Sequence, residues 1–188
     1  GVLVLAEARS GNLDPISREV ASLGLTLATQ ASEPLGIGLA GEGLAQATAE
    51  AASLGAAKVY VTDSPLLRES QPGMLLPVLE EIVRAASPRI VLMGRTHLGR
   101  DLAPRLALRL GVGLASDCVE ARWERPCGRL LCIRPVFGGN AMAVVAPLGV
   151  PQMASVRPHS YPEAAPDPSR QGDVVAVSAN IDPALEKV

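Results

Sequence analysis

The stretch from Arg89 to Leu110, RIVLMGRTHLGRDLAPRLALRL, carries the clearest fold signal in the sequence. It opens with an apolar run over 89–94, passes through a loop over 95–100, and ends in a segment with Leu102, Leu106 and Leu110 at helical spacing. A buried strand, a short loop and an amphipathic helix form the repeating unit of a parallel α/β sheet.

The sequence on the amino-terminal side repeats this strand-and-helix unit three times. Apolar runs of strand length cover residues 2–6, 36–40 and 58–62. Segments with apolar residues at helical spacing follow them, over about 16–27, 42–54 and 74–86. Asp14-Pro15 predicts the first helix start, because aspartate caps free N–H groups and proline fits the first helical position. Such alternation predicts an α/β fold with a doubly wound, mainly parallel sheet and right-handed crossovers.

After Gly111 the pattern changes from alternating units to short strands alone. Apolar segments of strand length cover residues 114–120, 130–134, 141–146 and 153–156, separated by Gly and Pro. No helical pattern lies between them, so we expect added strands in hairpins, some of them antiparallel. Three prolines within 161–170 predict a linker-like loop, and 174–177 predicts a last strand. The expected organisation is an α/β domain over 1–160 and a linker-like segment with a terminal strand over 161–188.

Composition argues against several classes of function. The formal net charge is −2 and aromatic residues make up 2%, which disfavours both a basic surface and base stacking, and hence nucleic-acid binding. No apolar run approaches the ~18 residues of a membrane span. Cys118, Cys127 and Cys132 form no CxxC pair, so neither a disulfide framework nor a zinc site is predicted. Reduced thiols and the lack of a signal peptide predict a cytoplasmic or organelle-matrix protein that is not secreted.

The loop after the strand at 89–94 is the first candidate site, because parallel sheets bind ligands where strands lead into helices. Free N–H groups and the helix dipole favour a phosphate there. Thr96 would add a hydroxyl and Arg100 a charge, in a loop that also contains Gly99 and Asp101. Asp101 argues against this, since as a helix N-cap it would occupy the N–H groups and repel an anion. The loop is therefore interpreted as a nucleotide-phosphate site, a structural cap or a protein contact.

The segment 134–141, RPVFGGNA, is the second candidate site. Gly-Gly-Asn after a strand predicts a tight hairpin that uses positive φ angles. Alternatively, an exposed arginine beside this glycine loop would dock a partner or the edge of a cofactor. The candidate interaction residues are Arg134, Phe137, Gly138, Gly139 and Asn140.

Nucleophilic catalysis and metal binding have little support in the sequence. His97 and His159 are the only histidines, no GxSxG elbow occurs, and Cys118 has no neighbouring base. No metal-ligand cluster is found, so no catalytic or metal-binding residue is predicted, and a hydrolase using His97 as general base is the minor alternative. Asp117, near the end of a strand, is interpreted as a hydrogen-bonding corner. Residues 36–41 have the look of GxGxxG, but these glycines fall within a strand.

The run TxxGRDLAPRLAxRL, from Thr96 to Leu110, resembles the signature of the N-terminal domain of electron transfer flavoprotein α subunits. Further segments resemble that family in the same order along the chain: 4–7, 11–13, 55–60, 114–117, 134–140 and 155–158. The resemblance covers about residues 2–160.

This resemblance implies a two-domain α subunit that pairs with a β subunit. Such a heterodimer holds FAD and carries electrons from dehydrogenases, for example acyl-CoA dehydrogenases of fatty acid β-oxidation, to a membrane quinone oxidoreductase or another acceptor. The fold implied for the N-terminal domain is of the adenine-nucleotide α-hydrolase-like type. In the β subunit the equivalent of loop 96–104 holds AMP, whereas in the α subunit the pocket is expected to be empty.

The sequence departs from the family pattern at its end, near residue 188. It has no counterpart of the family's glycine-rich FAD segment or of the arginine that packs against the flavin, so this chain alone is not expected to hold FAD tightly. An end just after a linker-like stretch favours an excised domain over a stand-alone relative. We predict an N-terminal scaffold that docks the β subunit and has no catalysis of its own. The alternative is a stand-alone adenine-nucleotide-binding module using loop 96–101.

Overall fold

The computed structural model describes residues 1–69, 71–182 and 184, which form twelve strands and four α-helices. The strands are β1 (Val2–Ala6), β2 (Ala8–Arg9), β3 (Asn12–Leu13), β4 (Leu35–Gly41), β5 (Lys58–Asp63), β6 (Ile90–Gly94), β7 (Leu114–Cys118), β8 (Glu120–Glu124), β9 (Arg129–Val136), β10 (Ala141–Val145), β11 (Gln152–Val156) and β12 (Asp173–Ala176). The helices are α1 (Pro15–Ala31), α2 (Ala45–Ser53), α3 (Pro72–Ala86) and α4 (His97–Leu110).

Seven strands form one parallel sheet in the order β12-β5-β4-β1-β6-β11-β7. The chain moves outward from β1 to β4 and β5, and then returns to the other side of β1 with β6. The strand order therefore reverses between β1 and β6, and loops that diverge at such a point leave a crevice at the carboxyl edge of the sheet. The predicted doubly wound, mainly parallel α/β sheet is confirmed.

Helices cover both faces of this sheet, which explains why its strands are continuous apolar runs. On β1, Val2 and Val4 belong to the core shared with α1 and α2, whereas Leu3 and Leu5 belong to the core shared with α3 and α4. Every residue of β6 and of β11 is buried. A strand enclosed on both sides needs apolar side chains at successive positions rather than at alternate ones.

The second half of the chain adds an antiparallel sheet of β8, β9 and β10, as predicted. The predicted strand 114–120 is divided in two at Val119. Two residues earlier, Asp117 adopts a left-handed backbone conformation (φ 63°), and the pairing of β7 with β11 shifts register beside it. The strand predicted at 153–156 lies outside the antiparallel sheet. It is β11, which inserts in parallel between β6 and β7.

The second helix starts later than the sequence pattern predicts. It begins at Ala45 rather than near residue 42, because the Asp63 carboxylate accepts hydrogen bonds from the backbone N–H groups of Gly43 and Leu44, both at 2.8 Å. Asp63 comes from the end of the neighbouring strand β5, so the local helical pattern carries no sign of this cap.

The segment after residue 160 packs along the domain. The Tyr161 hydroxyl accepts a hydrogen bond from the Ala121 N–H at 2.8 Å, and the Asp167 N–H donates to the Ser53 carbonyl at 2.9 Å. The strand predicted at 174–177 is found as β12, which pairs in parallel with β5 at the sheet edge. Residues 183 and 185–188 of the predicted terminal segment lie outside the described residues.

Candidate functional site

A cavity of about 300 Å³ opens at the carboxyl edge of the parallel sheet, at the point where the strand order reverses. Doubly wound sheets bind ligands in this position, which makes it the candidate site. Its apolar walls are formed by Leu5, Ala6, Ala8, Ala40, Leu75, Leu79, Met93, Leu98 and Leu102. Its polar lining consists of Glu7, Arg9, Asp14, Thr96 and His97.

Glu7 places a half-buried carboxylate in this cavity. Its backbone is fixed by the Ser17 hydroxyl of α1, which accepts from the Glu7 N–H at 2.7 Å and donates to the Glu7 carbonyl at 2.9 Å. Its carboxylate Oε1 accepts a hydrogen bond from the Thr96 hydroxyl at 2.7 Å. Burial raises the pKa of Glu7, because the charged form loses hydration, and the Thr96 hydrogen bond offsets only part of that rise.

Thr96 is the N-cap of α4. Its Oγ1 accepts a hydrogen bond from the Gly99 N–H at 2.9 Å while its own proton is donated to Glu7. The prediction that the loop continues to Arg100 and that Asp101 caps the helix is wrong. The chain is still extended at Thr96 (φ −77°, ψ −176°) and turns helical at the next residue, so the capping position falls on Thr96.

Gly99 allows α4 to lie directly against the end of β6. A Cβ atom at Gly99 would stand 1.9 Å from the carbonyl oxygen of Gly94, which is far inside van der Waals contact. The Gly99 N–H is used by the Thr96 cap, so it is not available to a ligand.

Arg100 and Asp101 lie outside the lining of the cavity. Arg100 is exposed, and Asp101 forms a surface ion pair with Arg105 at 2.8 Å, one helical turn along α4. Thr96 is thus the one lining residue among the four predicted for a phosphate loop, and both hydrogen-bonding functions of its hydroxyl are engaged. A carboxylate at the N-terminus of α4 also repels a second anion, so the geometry does not favour the nucleotide-phosphate interpretation.

A second polar group lies further along the same edge, where β6, β7 and β11 end. Asp117 accepts two hydrogen bonds from Arg157, with Nε–Oδ1 at 2.9 Å and Nη2–Oδ2 at 2.6 Å. The Nε of Arg95 lies 3.4 Å from Oδ1 of the same carboxylate. These guanidinium groups, Arg157 foremost, lower the pKa of Asp117 against the opposing effect of burial. The predicted hydrogen-bonding corner at Asp117 is confirmed.

Backbone contacts between the strand ends hold this group in place. The Asp117 N–H donates to the Ser155 hydroxyl at 3.2 Å. The Arg157 N–H donates to the Cys118 carbonyl at 2.9 Å, and the Arg95 N–H donates to the Val156 carbonyl at 2.8 Å. Sequence reasoning missed both arginines, although each one directly follows a strand that the sequence predicts.

The hairpin between β9 and β10 contains the second predicted segment. Phe137, Gly138 and Gly139 have φ angles of 51°, 67° and 95°, which confirms a tight connection that uses positive φ. Phe137 is 83% exposed and Asn140 is also exposed at this hairpin tip. Arg134 lies apart from these four residues, on β9, where it is close enough to Asp117 to help lower the pKa of that carboxyl.

The part of one face of the antiparallel sheet that β9 and β10 form is apolar and open. Ile133 pairs with Val144 and Pro135 pairs with Met142, so the four side chains share a face, which we call the outer face. Met142 and Val144 are 54% and 60% exposed. β10 is an edge strand of this sheet.

The remaining candidates for chemistry are scattered. His97 lines the cavity, whereas His159 is exposed on the loop after β11. Cys118 and Cys132 are buried free thiols and Cys127 is exposed. Within the described ranges, no group of three or more His, Cys, Asp and Glu side chains is placed to hold a metal ion.

The fold and the cavity together define a doubly wound α/β domain with a crevice at its switch point. A family model described as the electron transfer flavoprotein domain matches residues 2–182. The chain therefore belongs to the electron transfer flavoprotein family, as the resemblance of the run from Thr96 to Leu110 implied.

Individual relatives agree with this assignment. The chain is 34% identical to the electron transfer flavoprotein subunit alpha of Megasphaera elsdenii over 182 residues, and 36% identical to that of Thermoanaerobacterium thermosaccharolyticum over 181 residues. Each match covers 96% of this chain and 54% of the relative. The chain is also 38% identical to protein FixB of Rhizobium meliloti, and this match covers 84% of the chain and 46% of that protein. The chain spans about half the length of the curated relatives it matches.

None of the helices described here has the length and apolar character needed to cross a membrane.

Proposed function

We propose that this chain is the N-terminal domain of an electron transfer flavoprotein α subunit, and that it acts as a docking scaffold for the β subunit. The observation that carries the proposal is the open, apolar outer face of the antiparallel sheet, formed by Ile133, Pro135, Met142 and Val144. Large exposed apolar surfaces on a folded domain mark sites of protein contact.

Further exposed apolar side chains lie close in sequence to the outer face. Phe137 at the hairpin tip is 83% exposed, and in the loop after β10 Leu148 and Val150 are 76% and 71% exposed. β10 also presents an unpaired strand edge, which a partner chain can cover by main-chain hydrogen bonds or side-chain packing. Five of the eight large hydrophobic residues exposed in the described part of the chain thus lie between residues 137 and 150.

The flavin belongs to the complete heterodimer in this proposal. FAD would be bound mainly by the C-terminal half of the α subunit, outside the part of the relatives that this sequence matches, and the domain described here would frame it. The complex would carry electrons from dehydrogenases, such as acyl-CoA dehydrogenases, to a quinone oxidoreductase or another acceptor. The chain itself would be a carrier subunit without catalysis of its own, working in the cytoplasm or an organelle matrix.

The interior of the domain supports a scaffold role. In the described part of the chain, the polar groups of the cavity at the switch point serve the fold. The Thr96 hydroxyl donates to Glu7 and accepts from the Gly99 N–H, and Asp14 accepts from the Ile16 N–H at the start of α1 and pairs with Arg9. The hydroxyl of this lining is therefore engaged as a helix cap, which favours a structural role over nucleophilic catalysis.

Association with the β subunit of the same organism tests the proposal. The full-length α subunit that carries this domain should bind it, and the double variant M142E/V144E should weaken binding by about 30-fold or more, because two central apolar contacts are lost and charges are buried. Isothermal titration calorimetry or biolayer interferometry gives the affinity of each α subunit for the β subunit. L108E is the matched control, because Leu108 is 82% exposed on α4, away from the outer face.

Two results would contradict the proposal. One is equal β-subunit affinity for M142E/V144E and for the wild type, with circular dichroism showing that both are folded. The other concerns the flavin: stoichiometric, tightly bound FAD on residues 1–188 alone would show that this domain holds the cofactor itself.

A further inference from the structure

The group around Asp117 contains more positive than negative charge. Arg157 and Arg95 both lie against its carboxylate, at 2.6 Å and 3.4 Å, and Arg134 acts on it from β9. One carboxylate neutralises one guanidinium, so the cluster of Arg95, Arg134 and Arg157 retains an excess of two positive charges. Guanidinium groups that share one carboxylate repel one another, and a further anion would reduce that repulsion.

Arg134 also has an unsatisfied hydrogen-bond donor. Its Nε is buried from solvent and has no hydrogen-bond partner among the described residues. A buried N–H group without a partner is costly, because it has lost its bond to water and gained nothing in exchange. The buried donor leaves Arg134 without a compensating hydrogen bond inside the domain. The excess of positive charge is the observation that indicates a missing oxyanion.

The cluster is held ready by the sheet rather than by flexible loops. Arg95 and Arg157 are the first residues after β6 and β11, and both backbones are tied to neighbouring strand ends at 2.8 Å and 2.9 Å. Arg134 is part of the β9 ladder, paired with Ala143 of β10. Donors fixed in this way lose little freedom when an anion binds.

The position of the cluster connects it to the hairpin. Arg134 and Ala143 point to the face opposite Met142 and Val144, because side chains alternate along a strand. A partner that covers the outer face and reaches around the hairpin tip therefore meets the arginine cluster on the other side.

We propose that Arg95, Arg134 and Arg157 form an oxyanion site that is filled by an acidic side chain of the β subunit, next to its contact with the outer face. The inference rests on the proposed function, since it takes the β subunit as the occupant. The side chains of Arg95 and Arg157 are 31% and 44% exposed, so a carboxylate on the surface of a partner protein can reach them. Guanidinium groups bind such planar oxyanions in bidentate geometry.

The test measures affinity for the β subunit as a function of NaCl concentration. The full-length α subunit is compared with R134Q, R134K and the control R84Q, whose arginine forms surface ion pairs on α3. R134Q should weaken binding by about 30-fold or more and flatten the dependence on salt, because a desolvated charge pair is lost across the interface. R134K should retain the salt dependence with reduced affinity, and R84Q should match the wild type.

The outcomes separate this inference from the proposed function. If M142E/V144E weakens binding but R134Q stays within twofold of the wild type, the oxyanion site is wrong and the docking scaffold stands. If no β subunit binds the wild type, both fail. If R134Q does not fold, as judged by circular dichroism, R134K carries the test, and unchanged affinity in R134K would overturn the site.

A free anion is distinguished from a partner's carboxylate by a separate titration. Inorganic phosphate is added to the α subunit alone and followed by calorimetry. Binding in the micromolar range that is lost in R134Q would assign the site to a small phosphorylated ligand and overturn the partner assignment. Absence of heat at millimolar phosphate, together with R134Q-sensitive β-subunit binding, supports the proposal.

Discussion

Two carboxylates stand at the carboxyl edge of one parallel sheet, and their chemistry differs. Glu7, just after β1, has a hydroxyl as its hydrogen-bond partner, and burial raises its pKa. Asp117, near the end of β7, has arginines as its partners, and they lower its pKa. The identity of the nearest groups, rather than the position on the sheet, decides which protonation state the fold favours.

This difference separates the roles of the two regions. Around Glu7 the polar groups satisfy one another within the chain, since Ser17, Thr96 and Gly99 complete the hydrogen bonds at the start of α4. Around Asp117 a buried donor on Arg134 and two positive charges are left over. The first region is satisfied within the chain, and the second is the one that we propose a partner completes.

The largest loss of stability is expected from G99A, which places a methyl group between α4 and the end of β6. The added methyl would collide with the Gly94 backbone at 1.9 Å, so the helix must move and break the contact between Thr96 and Glu7. Because backbone cannot rotate away as a side chain can, the free energy of unfolding should fall by about 3 kcal/mol. Urea unfolding followed by circular dichroism measures it.

The matched control for that change lies at the other end of the same helix. G111A places its methyl in open space but at a positive φ of 68°, so only backbone strain of about 1 kcal/mol is expected. Similar losses in G99A and G111A would show that the close approach of α4 to β6 is not what stabilises the Glu7 region.

The fold could be predicted because its signals are local. The run 2–6 contains one strand, and the stretch 89–110 contains a strand and the helix that follows it. Because both faces of such strands are buried, they can be recognised in the sequence as continuous apolar runs. The element boundaries that the sequence predicts wrongly depend on contacts between residues far apart in the chain. Asp63 caps the start of α2 from another strand, and the predicted strand 114–120 breaks at Val119, whose N–H donates to the Ile133 carbonyl of β9 at 2.9 Å.

The site could be predicted only as a location. The loop after β6 was recognised as the ligand edge, and Asp117 as a corner, because both depend on strand ends. The contact between Glu7 and Thr96 joins residues 89 apart, and that between Asp117 and Arg157 joins residues 40 apart. No spacing rule in one sequence relates such positions, so the partners of each carboxylate had to come from the structure.

A smaller loss is expected from removing the charge of Asp117. D117N keeps the shape and tolerates the left-handed backbone, but it loses the charged hydrogen bonds from Arg157. The melting temperature at pH 7 should fall by a few degrees. The fall is limited to this size because Arg157 is partly exposed and solvent screens its charge. Because its pKa is lowered on folding, the stabilisation by Asp117 is present above pH 4 and is lost as the pH falls through the folded pKa.

Thermal melts from pH 2.5 to 8 test this prediction. The wild type and D117N should converge at the acid end, whereas D101N, which removes an exposed ion pair with Arg105, should follow the wild type throughout. A constant gap between the wild type and D117N at every pH would mean that the arginines do not act on the Asp117 charge.

The smallest effect, with the opposite sign, is expected from E7Q. The pKa of Glu7 is raised on folding, so its contribution to stability is fully present below the unfolded pKa of about 4.5 and is lost as the pH rises through the folded pKa. Glutamine can still accept the Thr96 hydrogen bond without burying a charge.

E7Q should therefore melt slightly above the wild type at pH 8 and approach it near pH 4, while E120Q, at an exposed position, should leave the melting temperature unchanged. A lower melting temperature for E7Q at pH 8 would show that the ionised carboxylate stabilises α4 more than its burial costs, and would remove the contrast with Asp117.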